Sequence, residues 1–128
     1  MHRETVASEV KVLSLAMVNH GRAHVLGMNL VRTEEEIKSQ VLKLSLMLGR
    51  PLCQTDLFVG GADFPPWPMI PAMVRHGCDH AFGRDTAISE AELLRQVNEF
   101  SVSVGRPVND GDFSWLICEF VTWILSLP

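Results

Sequence analysis

The chain has 128 residues, of which 47% are hydrophobic and 20% charged, the size and composition of one ordinary globular domain. Its net charge is −4 at pH 7 and no run of Lys or Arg occurs, so the basic face that nucleic-acid binding requires is not expected. The N-terminus has no apolar signal-peptide segment, and no apolar stretch is long enough to span a bilayer. The three cysteines, Cys53, Cys78 and Cys118, form no CxxC pair, which favours reduced thiols and a cytoplasmic protein.

The sequence contains an internal repeat. AMVNHGRAHVLG begins at Ala16 and AMVRHGCDHAFG begins at Ala72, an offset of 56 residues. Residues 16–59 align with residues 72–115 without a gap, and 16 of the 44 positions are identical. This self-similarity predicts a tandem duplication whose two halves pack about a pseudo-two-fold axis.

The first predicted element covers residues 5–19, where Val6, Val10, Leu13 and Met17 recur at helical spacing. Ser8 is a candidate cap and Gly21 a candidate stop. Because part of this run is β-branched, an α+β fold with a hairpin of residues 10–18 and 24–31 is the alternative.

The second copy favours the helix. Its equivalent stretch is rich in proline, from Pro65 to Pro71, and prolines cannot donate to a sheet ladder, whereas Pro71 suits the first turn of a helix. Gly21 and Gly77 would then mark either a break or a close contact between backbones.

The next element is predicted as a helix in both copies. Thr33 with Glu36, and Ser89 with Glu92, have the spacing of a capping box. Gly49 and Gly105 stand where a left-handed C-cap residue is expected. The apolar stripes between these ends are Ile37, Val41, Leu44 and Leu48 in the first copy and Leu93, Val97, Phe100 and Val104 in the second.

The two copies diverge beyond the Gly-Arg-Pro segments at residues 49–51 and 105–107. Gly60 and Gly61 end the element in the first copy, and a Pro-rich connection over residues 65–71 follows. In the second copy the chain continues as FSWLICEFVTWILSLP, a helix that Asn109, Asp110 or Asp112 could cap. Its apolar residues lie on nearly all sides, which predicts burial.

The predicted fold is therefore all-α: one domain of residues 1–128, a compact bundle of about five or six helices. Repeat 1 covers about residues 10–64, and repeat 2 covers about residues 70–127. Neither half can bury its apolar stripe alone, so the two should pack together.

Four of the five histidines lie in the repeat, as His20 with His24 and His76 with His80. The i, i+4 spacing places both imidazoles of a pair on one helix face, and imidazole suits zinc, nickel or copper. Cys78 and Asp79 add potential ligands in the second copy. The alternative is that the histidines are structural and bond to backbone carbonyls or across the interface. The HExxH hydrolase motif is absent because Gly21 and Gly77 occupy the position of its Glu.

A second repeated polar pair joins Arg50 to Asp56 and Arg106 to Asp112. The expected role is an ion pair that pins the turn after the helix, and the alternative is an arginine that binds a carboxylate or phosphate ligand. Residues Glu34 to Glu36 are interpreted as favourable charges at a helix start rather than as a metal cluster.

Two functional hypotheses follow. With no catalytic motif recognisable, the first is a non-enzymatic interaction or adaptor protein that binds another protein or forms a homodimer through Trp115, Phe120 and Trp123 of the C-terminal helix. This hypothesis requires no cofactor. The second is a small metal- or ligand-binding protein, conceivably an enzyme, that uses His20, His24, His76 and His80 to hold zinc or another transition metal.

Overall fold

The computed structural model describes residues 2–53, 56–57 and 69–126, with side chains from residue 6 onward. Gly60, Gly61 and most of the predicted Pro-rich connection lie outside the described residues. Within these residues the elements are five α-helices: α1 (His2–Leu26), α2 (Leu30–Leu48), α3 (Ile70–Ala81), α4 (Ala87–Val104) and α5 (Asp110–Leu125). The all-α prediction is confirmed, and the bundle is compact.

Helix α1 is the central element and packs against each of the other four. Its buried face carries Val10, Leu13, Met17 and His20, which keep helical spacing through the candidate stop at Gly21. The helix instead ends near Gly27, which adopts a left-handed φ of 67°. The hairpin alternative is wrong, because residues 10–18 and most of residues 24–31 are helical.

The predicted starts of α2 and α4 are also wrong. Asn29 caps α2 by accepting a hydrogen bond from the Val31 amide, and α4 begins at Ala87. Thr33 and Ser89 therefore lie inside the first turns of the helices, where their hydroxyls are free to serve another role. The predicted C-caps are confirmed, since Gly49 and Gly105 have φ values of 71° and 73°.

Helix α5 is only partly buried. Asn109 and Asp112 form its capping box, and Phe113, Leu116, Phe120 and Ile124 enter the core. The small residues spaced four apart on this helix, Ser114, Cys118, Thr122 and Ser126, are exposed, as is Trp115. The prediction of burial on nearly all sides is wrong because α5 packs along one edge of the bundle, mainly against α1.

In the described part of the chain, the helices are too short or too polar to cross a membrane.

Candidate metal centre

The four repeated histidines meet where α1 and α3 pack together. His20 and His76 are fully buried, and His24 and His80 are half-buried one turn further along their helices. Each ring of α1 stands edge-on to a ring of α3, with centroids 4.4 Å apart for His20 and His80 and 4.6 Å apart for His24 and His76. The sequence predicted the two pairs, and the helix packing brings them into one cluster.

Two glycines allow the helices to approach closely. A Cβ atom at Gly77 would lie 2.3 Å from Cβ of Met17, and a Cβ atom at Gly21 would lie 2.7 Å from Cγ of Met73. Both distances are shorter than any normal carbon contact, so a larger residue would force the helices apart. Of the two roles considered for these glycines, the close contact is therefore confirmed and the helix break is wrong.

The buried histidines are oriented by hydroxyls that the sequence assigned to helix capping. Nδ1 of His20 lies 2.8 Å from Oγ1 of Thr33, and Nδ1 of His76 lies 3.2 Å from Oγ of Ser89. Each hydroxyl lies within hydrogen-bond distance of a carbonyl oxygen of its own helix turn, that of Leu30 or Thr86. Since the hydroxyl proton is directed to that carbonyl, the hydroxyl oxygen accepts a hydrogen bond from the Nδ1–H group of the imidazole.

This arrangement fixes the tautomer of both rings. A neutral imidazole protonated at Nδ1 has a bare lone pair at Nε2, which is the atom that can bind a metal. Nδ1–H groups of metal-binding histidines are commonly held by such outer acceptors. The residues of this cluster that the sequence analysis missed are thus Thr33 and Ser89, and the available signal was a repeated hydroxyl 13 positions after a repeated histidine.

The inward-facing nitrogens have no protein partner. Nε2 of each of the four histidines is buried without a hydrogen bond, and one ligand nitrogen from each residue lies within 4.8 Å of the others. Buried polar atoms are normally satisfied, so four unpartnered nitrogens at one point require an explanation. A cation bound between them would satisfy all four.

Burial keeps the imidazoles of His20 and His76 neutral. The pKa of His20 is lowered to about 3, mainly by burial and also by the neighbouring rings of His80, His24 and His76. Burial also lowers the pKa of His76 to about 4, although Glu90 and Asp79 oppose this shift. Neutral imidazole is the form that binds metal ions, so these two rings are in the metal-binding form at neutral pH.

The nitrogens would have to move closer together to coordinate a transition metal. Zinc–nitrogen bonds are about 2.0–2.1 Å long, which places the nitrogens of a regular tetrahedral site roughly 3.3 Å apart. The 4.8 Å spread is larger, and rotation of the imidazoles about their side-chain torsions would have to close the difference. Four imidazoles are a ligand set that zinc, copper and nickel accept.

The additional ligands considered in the second copy do not join the cluster. Cys78 is buried beside Sδ of Met17, 3.7 Å away, and burial raises the pKa of its thiol to about 11. A protonated thiol is a poor ligand. Asp79 forms a 3.2 Å ion pair with Arg84.

The repeated arginines form the predicted ion pairs. Arg50 binds Asp56 through two hydrogen bonds of 2.9 and 2.6 Å, and Arg106 binds Asp112 through two of 2.8 and 2.7 Å. Each carboxylate also accepts a backbone amide, that of Cys53 or Asn109. The Arg106 guanidinium lowers the pKa of Asp112 to about 2. Both arginines are therefore engaged in pinning the turns after α2 and α4.

The three aromatic residues predicted for an interface have different environments. Phe120 is completely buried within the chain itself, Trp123 is half-buried, and Trp115 is 60% exposed. Trp115 is the one of the three that offers most of its surface to a partner.

Comparisons with protein-family models, with curated proteins and with solved structures find no match to this chain.

Proposed function

We propose that this protein binds one divalent transition-metal ion between α1 and α3, with Nε2 of His20, His24, His76 and His80 as ligands. The observation that carries the proposal is the group of four buried, unpartnered Nε2 atoms. At His20 and His76 the bonds from Nδ1 to the Thr33 and Ser89 hydroxyls present the lone pair of Nε2 inward. Two bare lone pairs facing one buried point repel each other, and a cation would remove that repulsion.

We further propose that the site is built by a duplication whose halves are related by a pseudo-two-fold axis in one domain. Each half contributes one HxxxH pair and one hydroxyl to the cluster. Gly21 and Gly77 are equivalent positions of the two halves, 56 residues apart, and so are Met17 and Met73. The Gly21–Met73 and Gly77–Met17 contacts are therefore the same contact made in both directions, as a two-fold axis requires. An experimental structure in which residues 16–53 fail to superpose on residues 72–109 would contradict this.

The ligand set points away from catalysis. A catalytic zinc site usually keeps one coordination position for water or substrate, whereas a structural site is closed by four protein ligands. Four imidazoles would close this site and would join the two halves across the α1–α3 contact. A role in folding, stability or metal-dependent regulation follows more directly than hydrolysis.

Calorimetric titration of the chelator-treated protein with zinc at pH 7.5 tests the proposal. The parent should bind one equivalent with micromolar or tighter affinity, and His20→Ala and His76→Ala should each lose that binding. His2→Ala is the matched control, because it removes the one histidine outside the repeat and should bind normally. No binding by the parent, or undiminished binding by both cluster variants, would refute the proposal.

The exposed face of α5 supports a second candidate function, association with another protein or with a second copy of the chain. Trp115 is 60% and Leu125 65% exposed, and large exposed apolar residues often lie at interfaces. A homodimer stays a prediction. Light scattering at micromolar concentration would give the dimer mass, and Trp115→Ser should shift it toward the monomer. A monomeric parent would contradict the prediction.

A further inference from the structure

We infer that the histidine quartet binds copper(II) in preference to zinc(II), and that this preference is larger than the one shown by four unconstrained imidazoles. The reason is that the protein holds the four rings in a flattened arrangement. This inference rests on the proposed function and concerns which ion the same site selects.

The ring positions depart from a regular tetrahedron. Four ring pairs have centroids 4.4 to 4.8 Å apart, namely His20–His24, His20–His80, His24–His76 and His76–His80. The other two pairs are wider, at 6.0 Å for His20–His76 and 5.6 Å for His24–His80. A regular tetrahedron has six equal separations, whereas in a square the two opposite separations are about 1.4 times the adjacent ones. Four short and two long separations describe a tetrahedron flattened part of the way toward a square.

The widest pair is also the most firmly held. His20 and His76 are fully buried, and the Thr33 and Ser89 hydroxyls fix their Nδ1 atoms. Their helices already touch at Gly21 and Gly77, where no space remains for closer approach. Drawing these two rings together into a regular tetrahedron would therefore strain the hydrogen bonds or the helix contact.

The required contraction differs between the two geometries. With metal–nitrogen bonds of about 2.0–2.1 Å, opposite nitrogens lie roughly 4.1 Å apart in a square and roughly 3.3 Å apart in a tetrahedron. The present spread of 4.8 Å is nearer to the opposite separation of a square than to the separation in a tetrahedron, so the most widely separated nitrogens would move less to reach the flattened geometry. Copper(II) prefers square-planar or tetragonal nitrogen ligands, whereas zinc(II) has no electronic preference and is almost always tetrahedral in closed sites.

The test must correct for the general rule that copper(II) binds nitrogen ligands more tightly than zinc(II) does. The dissociation constants for both ions would be measured by chelator competition at pH 7.5 in the His2→Ala background, which removes the fifth histidine. Their ratio would be compared with the corresponding ratio for complexes of four free imidazoles, whose geometry is unconstrained. We expect the preference for copper in the protein to exceed that of imidazole by at least tenfold.

The double variant Thr33→Val with Ser89→Ala keeps all four ligands but releases the widest pair. Its copper preference should fall toward the value for free imidazole. The electron paramagnetic resonance spectrum of the copper-loaded parent should be tetragonal with nitrogen hyperfine structure, and His20→Ala with His76→Ala should abolish that signal.

The outcomes separate this inference from the proposed function. If both ions bind through the four histidines but the copper preference matches that of free imidazole, the inference is wrong and the metal site stands. If neither ion binds, both are wrong. A tetrahedral copper spectrum in the parent would likewise overturn the inference alone.

Discussion

At the scale of single residues, the hydroxyls of Thr33 and Ser89 are the groups that orient the buried histidines. Both residues stand inside the first turn of a helix, where they leave capping to other residues and accept a hydrogen bond from a buried imidazole. They thereby determine which ring nitrogen faces the centre. The orientation of the His20 and His76 rings depends on these hydroxyls, and the i, i+4 spacing of the histidines does not show this.

Thr33→Val and Ser89→Ala should each weaken metal binding by about 10–100-fold, the usual effect of removing an outer hydrogen-bond partner of a metal-binding histidine. The imidazole would lose the acceptor that fixes its tautomer. Titration with zinc measures the change. Thr86→Val is the matched control, because Thr86 makes no side-chain capping hydrogen bond. Equal affinity in all three variants would show that the hydroxyls do not position the ligands.

Acid should destabilise the metal-free protein. The pKa values of His20 and His76 are about 3 and about 4 in the folded chain, compared with about 6.5 in an unfolded chain. Between these values the unfolded state binds more protons, so the free energy of unfolding falls as pH decreases from about 6.5 to about 4. The histidine contribution is complete above pH 6.5.

Thermal melts at pH 7.5 and pH 5 would measure this dependence. The double variant His20→Asn with His76→Asn cannot titrate at these positions and should lose less of its melting temperature on acidification. An unchanged pH dependence in that variant would contradict the assignment to these two rings.

At the scale of the elements, the contact between α1 and α3 decides where the histidines lie. Gly21 contacts Met73, and Gly77 contacts Met17. These contacts leave little distance between the two helices, which brings all four rings within reach of one point.

Gly77→Ala should destabilise the fold by about 1–3 kcal/mol, the usual cost of overpacking a core. The added Cβ would meet Cβ of Met17 at 2.3 Å and its backbone Cα at 2.9 Å, so a side-chain rotation cannot relieve the clash. This cost should outweigh the roughly 1 kcal/mol by which Ala is favoured over Gly in a helix. Denaturant unfolding measures the change, and zinc affinity should fall as the helices separate.

Gly111→Ala provides the comparison. Gly111 lies in the exposed first turn of α5, where an added Cβ atom would meet only Oδ1 of Asn109, at 3.1 Å. This substitution should change stability little and leave zinc affinity unaltered. A Gly77 variant as stable as this control would mean that the two helices do not need close contact.

At the scale of the whole molecule, a metal at the quartet would join both halves of the chain. The ligands come from α1 and α3, and the hydroxyls that orient two of them come from α2 and α4. Four of the five helices thus contribute to one point. The unfolded chain has no comparable preformed cluster, so metal binding favours the folded state.

Zinc should therefore raise the melting temperature of the parent at pH 7.5. At a free concentration 100 times the dissociation constant, binding stabilises the fold by about 2.7 kcal/mol, which corresponds to a shift of several degrees for a domain of this size. His24→Ala and His80→Ala should show smaller shifts because each lacks one ligand. A parent whose melting temperature is unaffected by zinc would contradict a metal-linked fold.

The sequence alone determined the helical class, the ends of α2 and α4 at Gly49 and Gly105, and the pairing of histidines on single helix faces. These features follow from local interactions: apolar residues at helical spacing, glycines suited to left-handed backbone, and side chains four residues apart. The salt bridges Arg50–Asp56 and Arg106–Asp112 are local in the same sense, with partners six positions apart.

Only the tertiary structure decided how the two histidine pairs relate and what Thr33 and Ser89 do. The capping-box pattern around Thr33 and Ser89 was locally convincing, yet α2 and α4 begin three and two residues earlier, respectively, and the hydroxyls face His20 and His76. Likewise Gly21 resembled a helix stop until packing against Met73 showed why a glycine is needed inside a helix. Local patterns specify which residues share a helix face, whereas long-range packing alone specifies which faces meet.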